Sequence, residues 1–307
     1  MSTTAHVRRA LAVGSVVLAH AVVAHAGWLS ALTLEVSTWA RALKPGEAIL
    51  LTVIPSRPLA TLEGTAFDRA VSVWRENPSR WYVLTAIPLE TTPGPATIML
   101  NAKSVDGEAA SSNVPVTISA AAFETRQLKV DQRFVDPPKE MLPRIARESE
   151  TLAAAFANSV PERLWRGEFR RPVAGQATSS FGRLSVLNGV ERGRHQGADF
   201  RAATGTPVVA PNAGKIVLVA NHYFPGRTVV IDHGGGLLSL FAHFSKVVVK
   251  QGETVKAGEQ LGLAGATGRV TGPHVHWAIR LNSTTLDPLS LMVALDGLTE
   301  KPAQRPE

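Results

Sequence analysis

The chain of 307 residues contains no cysteine at all. That excludes disulfides, thiolate nucleophiles, iron–sulfur clusters and every cysteine-ligated zinc site, so any metal must be held by His, Asp or Glu. No His-Glu pair occurs, which removes a His-Glu-x-x-His helix, and no Gly-x-Ser-x-Gly is present to form a nucleophile elbow. Histidine is missing between Ala26 and Arg194. Charged residues are only 19% of the chain against 45% apolar ones, a composition that folds and is not that of a disordered segment. The length suits one large or two modest domains.

One stretch is an almost unbroken small-apolar run, Ala10 to Ala24 with His20 inside it, preceded by Arg8-Arg9 and followed by the Ala24-His25-Ala26 text. A positive start, a short apolar run and an A-x-A site read as a secretory signal peptide over residues 1–26. The run falls short of the roughly 20 residues of a membrane span and no basic cluster follows it. The expected location is therefore periplasmic or secreted, with no stable membrane insertion after cleavage. Without the leader the net charge falls from +7 to +5, and Trp165 to the end alone carries +6. Seven arginines crowd one part of that half, at positions 166, 170, 171, 183, 192, 194 and 201. Such a field attracts anionic envelope surfaces. Nucleic acid is not expected, because no binding motif accompanies the charge.

Residues 27–120 alternate short β-type runs, such as Leu32 to Val36, Ala48 to Ile54 and Trp81 to Ile87, with turn signals such as Lys44-Pro45-Gly46-Glu47 and Val105-Asp106-Gly107-Glu108. That spacing predicts an antiparallel β-sandwich of immunoglobulin-like type, an accessory domain without a catalytic cluster. Over residues 121–165 the period changes: Leu142, Ile145, Ser149, Leu152 and Phe156 recur at three and four. This predicts a helical connector, with Pro143 in its first turn and Pro161 at its end. From 166 to 295 glycine-punctuated strands return, predicting an antiparallel, barrel-like β domain, and residues 296–307 read as a loose tail.

Six of the nine histidines fall between 195 and 276. His195-Gln196-Gly197-Ala198-Asp199 sets an imidazole and a carboxylate four apart, and Gly197 allows a close bend between them. In His274-Val275-His276 the alternation turns both imidazoles to one polar face, with Val275, Trp277, Ile279 and Leu281 on the core face. His243 is expected on the less apolar face of another strand, with Ser239, Phe241 and Ser245. His222 and His233 have no partner spacing and read as structural or surface residues. The segment Val249 to Gly262 has the turn text of biotinyl and lipoyl carrier domains but no carrier lysine motif, so it reads as shared hairpin geometry.

Taken in order, His195-x-x-x-Asp199, His243 and His274-x-His276 resemble the lysostaphin/LytM-type zinc metalloendopeptidases that cut peptidoglycan. Ser180-Phe181-Gly182, Gly205-Thr206-Pro207-Val208, Gly265 to His274 and Asp287-Pro288 extend the resemblance over Phe169 to Leu291. It implies a mainly β chain ending in a LytM-type antiparallel sheet with one Zn2+ in a cleft. The implied ligands are His195, Asp199 and His276, and the implied catalytic residues are His243 and His274. Two imidazoles and one carboxylate leave zinc a fourth position for water, whose pKa it lowers to about 7. Of the two catalytic imidazoles, His274 is expected as base and His243 as transition-state stabiliser. The implied partners are peptidoglycan peptides and the anionic cell envelope. The alternative is a non-enzymatic wall-binding protein or an activator of a cell-wall amidase.

Overall fold

A computed structural model describes residues 18–20, 31–179, 181–296 and 298. The expected leader lies outside the described residues except for Leu18–His20, a strand antiparallel to residues 36–38. The expected tail is likewise outside them apart from Leu298 and Asp296, which ends the helix Pro288–Asp296. The chain is mainly β, and nearly every described strand pairing is antiparallel.

Residues 34–118 form two antiparallel sheets packed face to face. One runs in the order Leu34–Trp39, Ala48–Pro55, Arg80–Ala86, Ser72–Asn77; the other is Leu59–Ala66, Gly94–Ser104 and Ala109–Ile118 with a short edge strand. Where one face meets solvent the strands alternate, as in Gly94–Ser104. Ala48–Pro55 and Arg80–Ala86 are buried on both faces. Their side chains take turns between two cores: Ile49, Leu51, Val53 and Val83 fill the sandwich, whereas Ala48, Leu50, Tyr82, Leu84 and Ala86 pack with Trp165, Phe241 and Trp277 of the C-terminal half. The period-2 geometry of a strand thus welds the accessory sheet to the C-terminal sheet.

Polar groups reinforce that seam. The Trp39 indole donates to Val293 O at 3.0 Å, and the Ala48 amide donates to Ser290 Oγ at 2.9 Å. The Arg41 guanidinium bridges Glu47 at 2.7 Å and Asp287 at 2.6 Å. Asp287 also accepts from Leu289 N, opening the helix Pro288–Asp296. Burial opposes the Arg41 charge, but the two carboxylates outweigh it and raise its pKa above the ordinary guanidinium value.

The connector differs from expectation in three respects. It begins with a strand, Thr125–Leu128, which pairs in parallel with Leu184–Leu187. Its helix spans Leu142–Ala157 with Pro143 in the first turn, and stops four residues before Pro161. Leu142 is exposed and so is Ser149; the packed stripe is Leu152, Ala155 and Phe156 against Leu218, Val230 and Leu238. Glu148 replaces Ser149 on the inner side, because its carboxylate bonds Arg144 and accepts from Tyr223 N at 2.6 Å.

The C-terminal half is built on one eight-stranded sheet. Its path is Ala177–Ser179, Ala198–Arg201, His274–Leu281, Leu237–Phe244, Gly226–Gly234, Gly214–His222 and Thr254–Val255, with Thr284–Leu286 paired to His274–Leu281. A three-stranded sheet, Pro207–Val209, Gln260–Leu263 and Lys246–Val247, lies beside it. The large sheet is open, not closed into a barrel. Among the described residues no helix is long and apolar enough to cross a membrane.

Replacing Arg41 leaves the Glu47 carboxylate, 3% exposed, without its cation. Arg41→Ala is expected to cost about 3 kcal/mol of unfolding free energy in urea denaturation, and a loss below 1 kcal/mol would show that the bridge does not hold the seam.

Candidate metal centre

The site is assembled by strand register. Ala198–Arg201 lies antiparallel to His274–Leu281 with Asp199 opposite His276, and His276 is also opposite Ala242 on the other side. The expected alternation of His274–Leu281 is present: Val275, Trp277, Ile279 and Leu281 are buried in the core and His274 and His276 share the other face.

Three donor atoms converge. His195 Nε2 lies 3.0 Å from Asp199 Oδ1, His276 Nδ1 lies 2.9 Å from the same oxygen, and the two ring nitrogens are 3.1 Å apart. Two imidazole nitrogens and one carboxylate oxygen within 3.1 Å of one another form a donor set suited to a metal ion. A tetrahedral zinc with bonds of about 2.0–2.1 Å needs donors about 3.3 Å apart, so the triangle fits with a small expansion. His195, Asp199 and His276 form the group of the described residues that could hold a metal ion. Burial would by itself raise the Asp199 pKa, but hydrogen bonds and charge from His195 and His276 hold it well below the usual carboxylate range. The oxygen is therefore an anion ready to act as a ligand.

His243 reaches the same cleft by breaking the strand pattern. Ser239 and Phe241 face the core, where the Ser239 hydroxyl meets the His233 ring and the Trp277 indole and Phe241 stacks on Trp277. Between Phe241 opposite Val229 and Phe244 opposite Arg227 the register shifts, and His243 takes φ +71°. The extra residue of this bulge turns His243 away from the face of Phe241, contrary to the expected grouping. It joins Ala242 in the cleft, with its ring centroid 4.7 Å from that of His274 and 6.2 Å from that of His276.

Both flanking imidazoles are anchored by backbone carbonyls. His243 Nδ1 donates to Thr267 O at 2.8 Å, and His274 Nδ1 donates to Gly272 O at 2.8 Å. A neutral ring so held presents Nε2 as its acceptor, and a protonated one donates from it. His274 Nε2 stands 3.8 Å from Asp199 Oδ1. Burial, followed by the neighbouring His274 and His276, pushes the His243 pKa down to about 3. His233 is not part of the cluster: it is wholly buried, hydrogen-bonded to Ala213 O and Ser239 Oγ, and burial lowers its pKa to about 4. His222 is also buried, outside the cluster.

The cleft encloses about 490 Å³ and is lined by more than the C-terminal half. Arg126, Leu128 and Val130 of the connector and Leu152 of its helix border it. The Thr267 and Gly272 carbonyls and these connector residues are parts that residue spacing did not reveal; the only written signal was the Thr-Gly text around positions 267 and 271.

Residues 193–288 match the model of peptidase family M23. A crystal structure assigned to peptidase M23 from Pseudomonas aeruginosa superposes with a TM-score of 0.63 at 32% identity, covering 82% of this chain and 96% of that one. Peptidoglycan DD-endopeptidase ShyA of Vibrio cholerae is 45% identical over 107 residues, 35% of this chain and 25% of that protein. Cell division protein DipM of Caulobacter vibrioides is 35% identical over 204 residues, 64% of this chain and 32% of that protein. The chain thus spans about a quarter to a third of these curated relatives. The mostly β fold of antiparallel sheets carries a His-Asp-His group that could hold a metal ion. The chain belongs to peptidase family M23.

A Cβ at Gly197 would stand 2.5 Å from Trp277 O and 2.7 Å from His276 Cε1. Gly197→Ala must push the His276 ring off the triangle, and zinc affinity in a competition assay with a chromophoric chelator should fall roughly 10- to 100-fold. Unaltered affinity would mean that His276 is not a ligand.

Proposed function

We propose that this chain is a zinc-dependent endopeptidase acting on peptidoglycan peptides in an exported compartment. The observation that carries this reading is the convergence of His195 Nε2, Asp199 Oδ1 and His276 Nδ1 beside two carbonyl-anchored imidazoles. When bound in that triangle, one zinc ion per chain would supply the Lewis acid that polarises the scissile carbonyl and acidifies the attacking water. The relatives named as DD-endopeptidases support a D,D cross-link as the bond. The positive C-terminal half suits an anionic wall.

The protein groups divide the proton work. His243 is 8% exposed, and burial favours its neutral ring, whose Nε2 is an acceptor because Nδ1–H is committed to Thr267 O. We assign it the role of base that takes the proton of the attacking water. His274, whose Nε2 stands 3.8 Å from Asp199 Oδ1, is assigned to the developing oxyanion, as the donor from Nε2. This reverses the division expected from the sequence: both rings are anchored through Nδ1–H, but His243 is the one that burial keeps neutral, so its Nε2 accepts. The residue assignment is otherwise the expected one. The sandwich, connector and C-terminal unit are read as accessory, linking and catalytic parts that fold as one body.

Mass spectrometry of cross-linked muropeptides incubated with zinc-loaded protein tests the reading. Cleavage at the cross-link is expected, and fully loaded protein that leaves every cross-link intact would favour a binding or activating role. His195→Ala should lose the metal, whereas His243→Ala should keep it and lose roughly 10²- to 10⁴-fold in turnover. A fully active His243→Ala protein would remove His243 from the chemistry.

A further inference from the structure

Arginine dominates the charge of the cleft. Arg126, Arg183, Arg192, Arg194 and Arg269 line it, and the one carboxylate lining it with them is Asp199, already occupied by two imidazoles. Some of these guanidiniums have local duties. Arg194 donates to Gly182 O at 2.9 Å and covers the Phe123 ring, while Arg183 is buried near Asp199 and Glu124.

Arg192 and Arg269 differ. Arg269 lies over the Phe224 ring, 4.9 Å from its centroid, and Arg192 donates to the Val135 carbonyl. Among the described residues no carboxylate forms an ion pair with either. Their charges are close enough to repel: burial first, then Arg192, lowers the Arg269 pKa below the ordinary guanidinium value. Arg269 is half-buried and Arg192 exposed, and two like charges lining one cleft without a carboxylate partner suit an anionic ligand.

Their positions in the chain tie them to the reacting centre. Arg192 belongs to the strand Val190–Arg194, which delivers His195. Arg269 belongs to the loop whose Thr267 carbonyl anchors His243 and which ends at His274, and its amide donates to Phe224 O at 2.7 Å. The neighbouring Pro225 carbonyl accepts from His243 N. Both guanidiniums line the same cleft as His243. Planar guanidiniums pair with carboxylates through two parallel hydrogen bonds, which gives geometric selectivity as well as charge.

We propose that Arg192 and Arg269 form a carboxylate-binding subsite, so that the preferred substrate carries a free carboxylate near the scissile amide and neutral peptides such as glycine bridges are poor substrates. The proposal rests on the endopeptidase reading for its consequence in catalysis, but the subsite itself is a binding property.

The test uses two synthetic D-alanyl cross-linked peptides, identical except that the residue beside the scissile amide ends in a free carboxylate or in a carboxamide. Zinc-loaded full-length protein is expected to favour the carboxylate peptide at least tenfold in kcat/KM, mainly through KM. In Arg192→Gln and in Arg269→Gln that preference should collapse with zinc content unchanged, and Arg269→Lys should restore part of it. Calorimetric binding of the same two peptides to wild type and to both glutamine variants is measured in parallel. If neither peptide is cleaved, the endopeptidase reading fails, and the binding comparison still decides the subsite. Equal binding of the two peptides by wild type, or a preference retained in both variants, would overturn the proposal.

Discussion

The structure depends on one strand register, the antiparallel pairing that sets Asp199 directly opposite His276. A slip of one residue would send every side chain of one strand to the other face. Asp199 would then leave the imidazoles, and Phe200 would leave the core. The register is held because its two faces want opposite things: Phe200, Val275, Trp277 and Ile279 are buried among aromatic and aliphatic neighbours, while Asp199, His274 and His276 open on the cleft. Hydrophobic packing on one side thus places Asp199 and His276 on the other, and the short turn at 195–197 brings His195 to them.

The same logic explains why the N-terminal half belongs to the site. Two of its strands are buried on both faces and share a core with Phe241 and Trp277, the residues directly beneath the cleft floor. From that seam the connector runs along the cleft, adding a parallel strand beside Leu184–Leu187 and a helix across the outer face of the large sheet. Its Val135 carbonyl holds Arg192, and the Arg133 carbonyl accepts from the Tyr223 hydroxyl. Connector and C-terminal residues together therefore line the cleft.

Much of this was legible in the residues. The His195-x-x-x-Asp199 text before a strand and the alternating His274 strand pointed to His195, Asp199 and His276, which the fold brings together as a group that could hold a metal ion. The sandwich, the connector helix and the mainly β character followed from turn spacing and from the change to a helical period. What was not legible depends on long-range packing. His243 was grouped with Phe241 by simple alternation, but a bulge with a left-handed residue reverses it, and nothing local marks that position. Glu148 displaced Ser149 on the helix because its partner, the Tyr223 amide, is 75 residues away. The welded halves did have a signal: Ala48 to Ile54 and Trp81 to Ile87 are apolar without alternation, as strands buried on both faces are.

X-ray absorption at the zinc edge of protein carrying one zinc per chain tests the metal triangle most directly. Two imidazole nitrogens and one carboxylate oxygen at about 2.0–2.1 Å, with one further light donor, are expected, and His276→Ala should remove one imidazole from the shell. A shell of three imidazoles, or a spectrum unaltered in His276→Ala, would contradict the assignment of His195, Asp199 and His276 as the ligands.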